Sequence, residues 1–285
     1  MSDLRPASPA SEEKFDQVIE AGRAESRYWR DLWQYRELFY FLSWRDILVR
    51  YKQTVLGIAW AVIRPLITMA IFTVIFGRLA KMPDEGVPYP VLVFAGMLPW
   101  QLFSTSLSEA SNSLIGNANL VSKVYFPRLI VPTSSVMVCG VDFLINSVIF
   151  AGLLAWYGVV PSWPILFLPL FVLLGFAAAI GAGLWLAALN VNYRDFRYVV
   201  PFLVQFGLYV SPVGFSSSVV PESWRLLYSL NPMVCVVDGF RWSVFGPQRP
   251  FDPVSCGLGV SIIALLLLSG IWFFRRTERS FADTI

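Results

Sequence analysis

The residues best suited to chemistry in this sequence are cations and aromatics at the edges of long apolar runs. Arg50-Tyr51-Lys52-Gln53-Thr54-Val55-Leu56-Gly57 precedes the first run, and Lys123-Val124-Tyr125-Phe126-Pro127-Arg128 lies between two later ones. Guanidinium and ammonium groups at a membrane surface attract phosphate. Arg50, Lys52, Lys123 and Arg128 therefore suit a phosphorylated ligand or, equally, anionic lipid headgroups. Ionisable groups inside an apolar run cost roughly 2.5–3.5 kcal/mol each on insertion scales, so each needs a reason. Arg64 and Glu109 lie in the first and second runs. Antiparallel helices with a rise of about 1.5 Å per residue put them at similar depth. The expectation is a pair across the helices, with Arg64 meeting an anionic ligand group as the alternative.

Other polar and aromatic positions form stripes. Gln101, Ser104, Ser108 and Ser111 share one helix face, suited to a hydrated path or to interhelical hydrogen bonds. Asp142 and Asn146, four apart, carry the same two readings. Phe202, Phe206 and Tyr209 share a face of the fifth run. Sugar rings stack on aromatic faces through C–H groups, and a hydroxyl-rich polymer would slip along such a surface; core packing or lipid contact would use the same stripe. Gly175, Ala179 and Gly183 repeat every four positions and predict close helix packing.

Absences narrow the chemistry. There is no histidine, which removes imidazole bases, Ser-His-Asp triads and most zinc sites, and no metal site is expected. No GxxxxGK[ST] is present, so ATP hydrolysis is not expected of this chain, and HExxH, GxSxG and TVGYG are also missing. Asp46 and Asp195 stand alone near the expected inner face. A polyprenyl-phosphate glycosyltransferase would need clustered carboxylates there. A formal net charge of +3 is too small to suggest nucleic acid. Cys139 reads as a small core residue, whereas Cys235 and Cys256 fall on one side of the membrane, which permits a disulfide without requiring it.

The elements that must position these residues are membrane helices. With 56% hydrophobic residues, 14% charged and a mean hydropathy of +0.60, the chain is too apolar for a water-exposed surface. The fold class is all-α integral membrane. Six spans are expected near residues 55–79, 91–115, 129–156, 165–189, 199–215 and 254–274. They form one membrane domain, 53–275, preceded by a cytoplasmic arm (1–27) and an interfacial amphipathic helix region (28–52), and followed by a cytoplasmic tail (276–285). Met1 to Glu25 holds no apolar core, so no cleaved signal peptide is expected. Alternating crossings from an inner N-terminus place Lys123, Arg128, Arg194, Arg197, Arg275, Arg276 and Arg279 inside, with Asp84 and Glu85 outside. Arg225, Arg241 and Arg249 dissent from that rule. In the interfacial region Ser43, Asp46 and Arg50 share one side, and Leu38, Phe41, Leu42 and Val49 another, with Arg45 expected to snorkel. Residues 216–251 are too apolar for a solvated loop. Asn231-Pro232 there reads as an N-cap with proline at the first helical position, and two short helices dipping into the outer leaflet or capping a cavity are expected.

Five segments carry a family resemblance: RYKQTVLGIAWAVIRPL (50–66), GMLPWQLFS (96–104), NANLVSKVYFPRLIVP (117–132), NYRDFRYVVPFLVQFGLYVSPV (192–213) and LNPM…GFRW (230–242). In this order they resemble type-2 ABC exporter permeases of the polysaccharide-export family, closest to O-antigen exporters, with teichoic-acid and capsule exporters as relatives. The resemblance implies a homodimer of six-span subunits in the inner membrane. Two separate nucleotide-binding subunits would hold the ATP and magnesium, with no cofactor in this chain. A lipid-linked glycan, such as one carried on undecaprenyl diphosphate, would pass between the two copies; a small lipid or drug is an alternative cargo. It implies coupling to the ATPase at Asn119, Lys123, Tyr125, Phe126, Pro127 and Arg128, and a substrate entrance near Arg50, Tyr51, Lys52 and Arg64. The implied channel lining is Trp60, Trp100, Gln101, Ser104, Ser108, Glu109, Phe202, Phe206 and Tyr209. The implied outer gate holds Pro221, Trp224, Asn231, Pro232 and Phe240. On this reading Phe126→Asp leaves the chain folded and uncouples ATP use from export.

Overall fold

The computed structural model describes residues 28–52, 55–83, 86–193, 195–246, 251–278 and 281. The arm 1–27, Gln53, Thr54, Asp84, Glu85, Arg194, Arg249, Arg279 and the end of the tail lie outside the described residues. Among those described, regular structure is helical throughout: α1 (Tyr28–Gln34), α2 (Arg36–Lys52), α3 (Val55–Phe72), α4 (Tyr89–Gly116), α5 (Ala118–Lys123), α6 (Ile130–Trp156), α7 (Leu168–Asn192), α8 (Phe196–Val210), α9 (Glu222–Tyr228), α10 (Pro232–Phe245) and α11 (Pro253–Thr277). The helix of α3 widens into a π-helical turn over Thr73–Leu79.

Helix ends follow local chemistry. Asn231 accepts from the Met233 amide at 3.0 Å, with Pro232 in the first turn, as its sequence predicts. Asp252 caps α11 in the same way through Val254, again with a following proline. Arg275 and Arg276 close α11, where cations complement the carbonyl end of the helix dipole. Gly246 takes φ 86 to end α10, a conformation that favours glycine.

Five helices are long and apolar enough to cross a membrane, and α8, with 15 residues, is a shorter apolar one. The fifth expected span therefore stops at Val210 and continues without helical structure. The centre of the bundle is α4: 78% of its apolar window is buried, against 11% for the window spanning α3. Small residues explain how closely α7 approaches α4. A Cβ on Gly183 would stand 2.7 Å from the Ala110 Cβ, so the Gly175–Ala179–Gly183 stripe packs as expected.

Two short helices, α9 and α10, follow α8, as expected for residues 216–251. The second is no surface cap, because Met233, Val236, Val237, Phe240 and Val244 are all buried in the bundle. Re-entrant backbone of this kind must find its hydrogen bonds within the protein. Arg241 supplies them: its guanidinium donates to Phe215 O at 2.8 Å, Val213 O at 2.9 Å and Leu92 O at 3.1 Å. Arg241 is thus no loop charge set against the positive-inside pattern, since it is 2% exposed and engaged by carbonyls. Gly96 leaves the space for it, as a Cβ there would fall 2.5 Å from Nη2 and 2.8 Å from Val213 O. Gly96→Ala is expected to cost about 1–3 kcal/mol by overpacking this clamp, seen as a lowered unfolding midpoint in detergent. An unchanged midpoint would show that the clamp has slack.

Candidate functional site

At the end of the bundle rich in arginine and lysine, α2 lies against α6 with its polar side inward. Arg50 meets Asp142 at 3.0 Å and Glu109 at 3.4 Å, and the Tyr51 hydroxyl donates to Asp142. Burial first, and then Asp142, hold the Tyr51 phenol above its usual pKa, so it remains a donor. Arg45 donates to Asn117 at 2.8 Å and pairs with Asp46 at 2.7 Å. The opposite side of α2, with Tyr40, Phe41, Trp44, Leu48 and Val49, is exposed. Along it runs a shallow groove of about 320 Å³ lined by Phe41, Trp44, Arg45, Leu48, Val49 and Lys52. An apolar outer side and a polar inner side are what an interfacial helix requires.

One expectation is corrected here. Glu109 pairs with Arg50 rather than Arg64, because α2 brings Arg50 to Glu109 of α4 and to Asp142, midway along α6, while Arg64 lies on an outward face of α3. Arg64 is exposed, and no ion-pair partner for it occurs among the described residues. Arg45 keeps 39% of its side chain exposed while bonding Asn117, the N-cap of α5.

The segment after α4 divides by exposure. Asn119, Lys123 and Tyr125 are exposed, the last by 62%, whereas Phe126 and Pro127 are buried. Phe126, 4% exposed, packs in a core with Leu114, Val121, Leu129 and Phe274. Arg128 donates to the Glu278 carbonyl and lies over the Phe281 ring. Tyr28 donates to the Glu278 carboxylate at 3.1 Å; burial first and then that carboxylate push the phenol pKa up. The chain before α2, the segment after α5 and the end of α11 thus form one packed collar. Phe126→Asp would bury a carboxylate in this core, so the expectation that the chain stays folded does not hold.

A second feature is an open face. Trp60, Ile63, Ile67 and Ile71 of α3 are exposed beside Arg64, as are Tyr198, Phe202, Phe206 and Tyr209 of α8. Phe202 and Phe206 stack with centroids 6.0 Å apart and planes 11° from parallel. Both helices flank α4: Phe72 of α3 and Phe76 of the π-helical turn after it close on Gly214 just beyond α8, and Trp100 of α4 fills the contact with Gly207 of α8. Trp100 is buried at 5% and packs between helices. The polar stripe is partly spent on packing as well. Ser104, Ser108 and Ser111 donate to carbonyls of their own helix, and Asn190 of α7 donates to Ser111 O at 3.0 Å. Gln101 and Ser108 are half-buried, and Glu109 is exposed.

At the opposite end, Pro221 precedes α9 and Trp224 is exposed on it. Asn231 also donates to Ser211 at 2.9 Å. Phe240 is interior, at ring contact with Phe143 and Phe150.

These helices, with a re-entrant α10 and an interfacial α2, define a membrane transport domain. The ABC-2 type transporter family model matches residues 37–245, and the chain belongs to that family. It is 30% identical over 260 residues to the O-antigen export system permease protein RfbA of Myxococcus xanthus, covering 90% of this chain and 98% of the relative. A protein of the same name from Klebsiella pneumoniae is 27% identical over 253 residues, covering 87% of this chain and 95% of the relative. The polysialic acid transport protein KpsM of Escherichia coli is 22% identical over 253 residues, covering 83% and 92%. The chain is a multi-pass membrane permease of an ABC-2 exporter.

The Arg50 clasp makes a measurable claim. In a double-mutant cycle of Arg50→Met and Asp142→Asn, the coupling should be about 1 kcal/mol, kept small by partial exposure. Thermal unfolding in detergent checks it, and additive effects would remove the clasp.

Proposed function

We propose that the chain is the channel-forming subunit of an ATP-driven exporter that moves a lipid-linked polysaccharide, of O-antigen type, out across the inner membrane. Two copies enclose the passage, and ATP is hydrolysed, with magnesium, by two separate ATPase subunits at the basic, cytoplasmic end. Both termini lie on that side. The observation that carries this reading is the open face of α3 and α8. A guanidinium in an apolar span cannot face hydrocarbon at low cost, and Arg64 meets no carboxylate among the described residues. A second copy laid against this face would leave Arg64 in a hydrated path with the Phe202, Phe206 and Tyr209 rings along it. Such a path offers a polymer stacking surfaces, with a cation for its phosphate group.

The relatives' printed names, O-antigen export and polysialic acid transport, support a glycan cargo. The groove on α2, apolar with Lys52 and Arg45 on its rim, suits a lipid carrier bearing phosphate. Arg50 is engaged by two carboxylates, so Lys52 is the freer cation of the proposed entrance. The ATPase would dock on the exposed Asn119, Lys123 and Tyr125, with Phe126, Pro127 and Arg128 anchoring that surface to the bundle. Its stroke would reach α2 through the Asn117–Arg45 bond. The helices α9 and α10 would form the outer gate, with Pro221, Trp224, Asn231 and Pro232 shaping it and Phe240 fixing it to the core.

Three outcomes are expected. A single cysteine at Ile67 or Phe206, in a background lacking native cysteines, should cross-link between copies in native membranes; strictly monomeric protein in lipid would overturn the paired passage. Tyr125→Ala should leave the unfolding free energy within about 0.5 kcal/mol of the parent yet abolish ATP-dependent export of lipid-linked glycan into vesicles. Phe126→Ala should instead cost about 3–5 kcal/mol of stability. Turnover of a polyprenyl-linked sugar by the purified chain without ATP would favour a transferase.

A further inference from the structure

Cys235 and Cys256 lie in different helices, α10 and α11, on the wall of one cavity of about 90 Å³ shared with Ser217, Tyr228, Asp238 and Asp252. The backbone explains why they meet. Gly259 of α11 sits so close to α10 that a Cβ on it would fall 2.5 Å from the Cys235 Cβ. Cys256 is three residues earlier, on the same face of α11 and one turn nearer its start. The two side chains line the same small cavity and pack against the same apolar cluster, and both thiols are free. Cys235 is buried, whereas Cys256 is partly exposed at the cavity. Cys139, the third cysteine, is buried on α6 in the same apolar core but does not line this cavity.

We infer that Cys235 and Cys256 are a disulfide-forming pair, a modification site that staples the re-entrant helix α10 to the start of α11. The oxidant is a small or protein disulfide, as present outside a cytoplasmic membrane; this compartment rests on the orientation proposed above. The Cys256 thiolate attacks one sulfur of the oxidant, forming a mixed disulfide and releasing the first oxidant thiol. The Cys235 thiolate then attacks Cys256 and displaces the second oxidant thiol. Each of the two cysteines loses one proton, both protons end on the released thiols, and the two electrons reduce the oxidant. The bond closes a loop across residues 236–255 and fixes α10, which the Arg241 clamp holds from its other side. In a gate made of these helices, the oxidised form would hold α10 while leaving α9 free to move.

The test uses the full chain in native membranes. Samples are treated with oxidised glutathione or dithiothreitol, then denatured and alkylated. Reduced protein should take three alkyl groups, and oxidised protein one, on Cys139. Cys139→Ser should retain the loss of two. Cys256→Ser should lose the oxidation-dependent pairing. Three alkyl groups after oxidation, or glutathione retained on Cys256 with Cys235 still free, would overturn the pair. Labelling of reduced cells with a membrane-impermeant maleimide tests the compartment separately. Reaction of Cys256 from outside supports it, and reaction only from the cytoplasmic side overturns the orientation while leaving the in-vitro pairing to stand or fall by itself.

Discussion

The guanidinium of Arg241 is the contact on which the re-entrant half of this protein depends. A chain that leaves its helix at Ser211 within an apolar environment exposes carbonyls that lipid cannot satisfy. One planar group with five donors answers two of them and a third on the central helix α4. Lysine, a point cation on a flexible stem, could not bridge three carbonyls in fixed directions. The bonds also tie the turn after α8, the helix α10 and the first turn of α4 into one unit. Gly96, by lacking a side chain, allows the guanidinium to approach α4 that closely.

At the basic end the logic is different, because the contacts there link elements distant in sequence through partly exposed charge. Arg45 ties α2 to the start of α5, and Arg50 with Tyr51 ties it to α4 and α6. Glu278 and Phe281 bring the chain's far end back onto the same segment. A displacement of α5 cannot leave α2 unaffected while the Asn117 bond holds. The buried side chains of Phe126 and Leu129 pack the segment after α5 into the same core as Leu114 and Phe274.

Much of this was legible in the sequence. Hydropathy located every long helix, Asn231-Pro232 marked the start of α10, and the small-residue stripe of α7 marked its packing. What periodicity could not reach were partners far apart in the chain. Asp142 was visible as an odd charge, but its partners Arg50 and Tyr51 lie about ninety residues earlier, and only the return of α2 along α6 joins them. Equal depth suggested Arg64 for Glu109; azimuth around α3 decided otherwise. Adjacent aromatics in one motif also look alike in sequence, and only burial separates the interior Phe126 from the exposed Tyr125.

The shortness of α8 has a consequence for the surrounding lipid. Fifteen residues at about 1.5 Å each give roughly 22 Å, below the ~30 Å of a typical hydrocarbon layer. The shortfall is met by irregular chain and by α10, so the protein's apolar belt is lower on this flank than along α6 or α7. A bilayer yields more readily than a packed helix bundle, and acyl chains beside α8 should compress and tilt to match. Membranes of thinner composition would therefore host this protein with less distortion, and thickness itself becomes a variable that draws short flanks together.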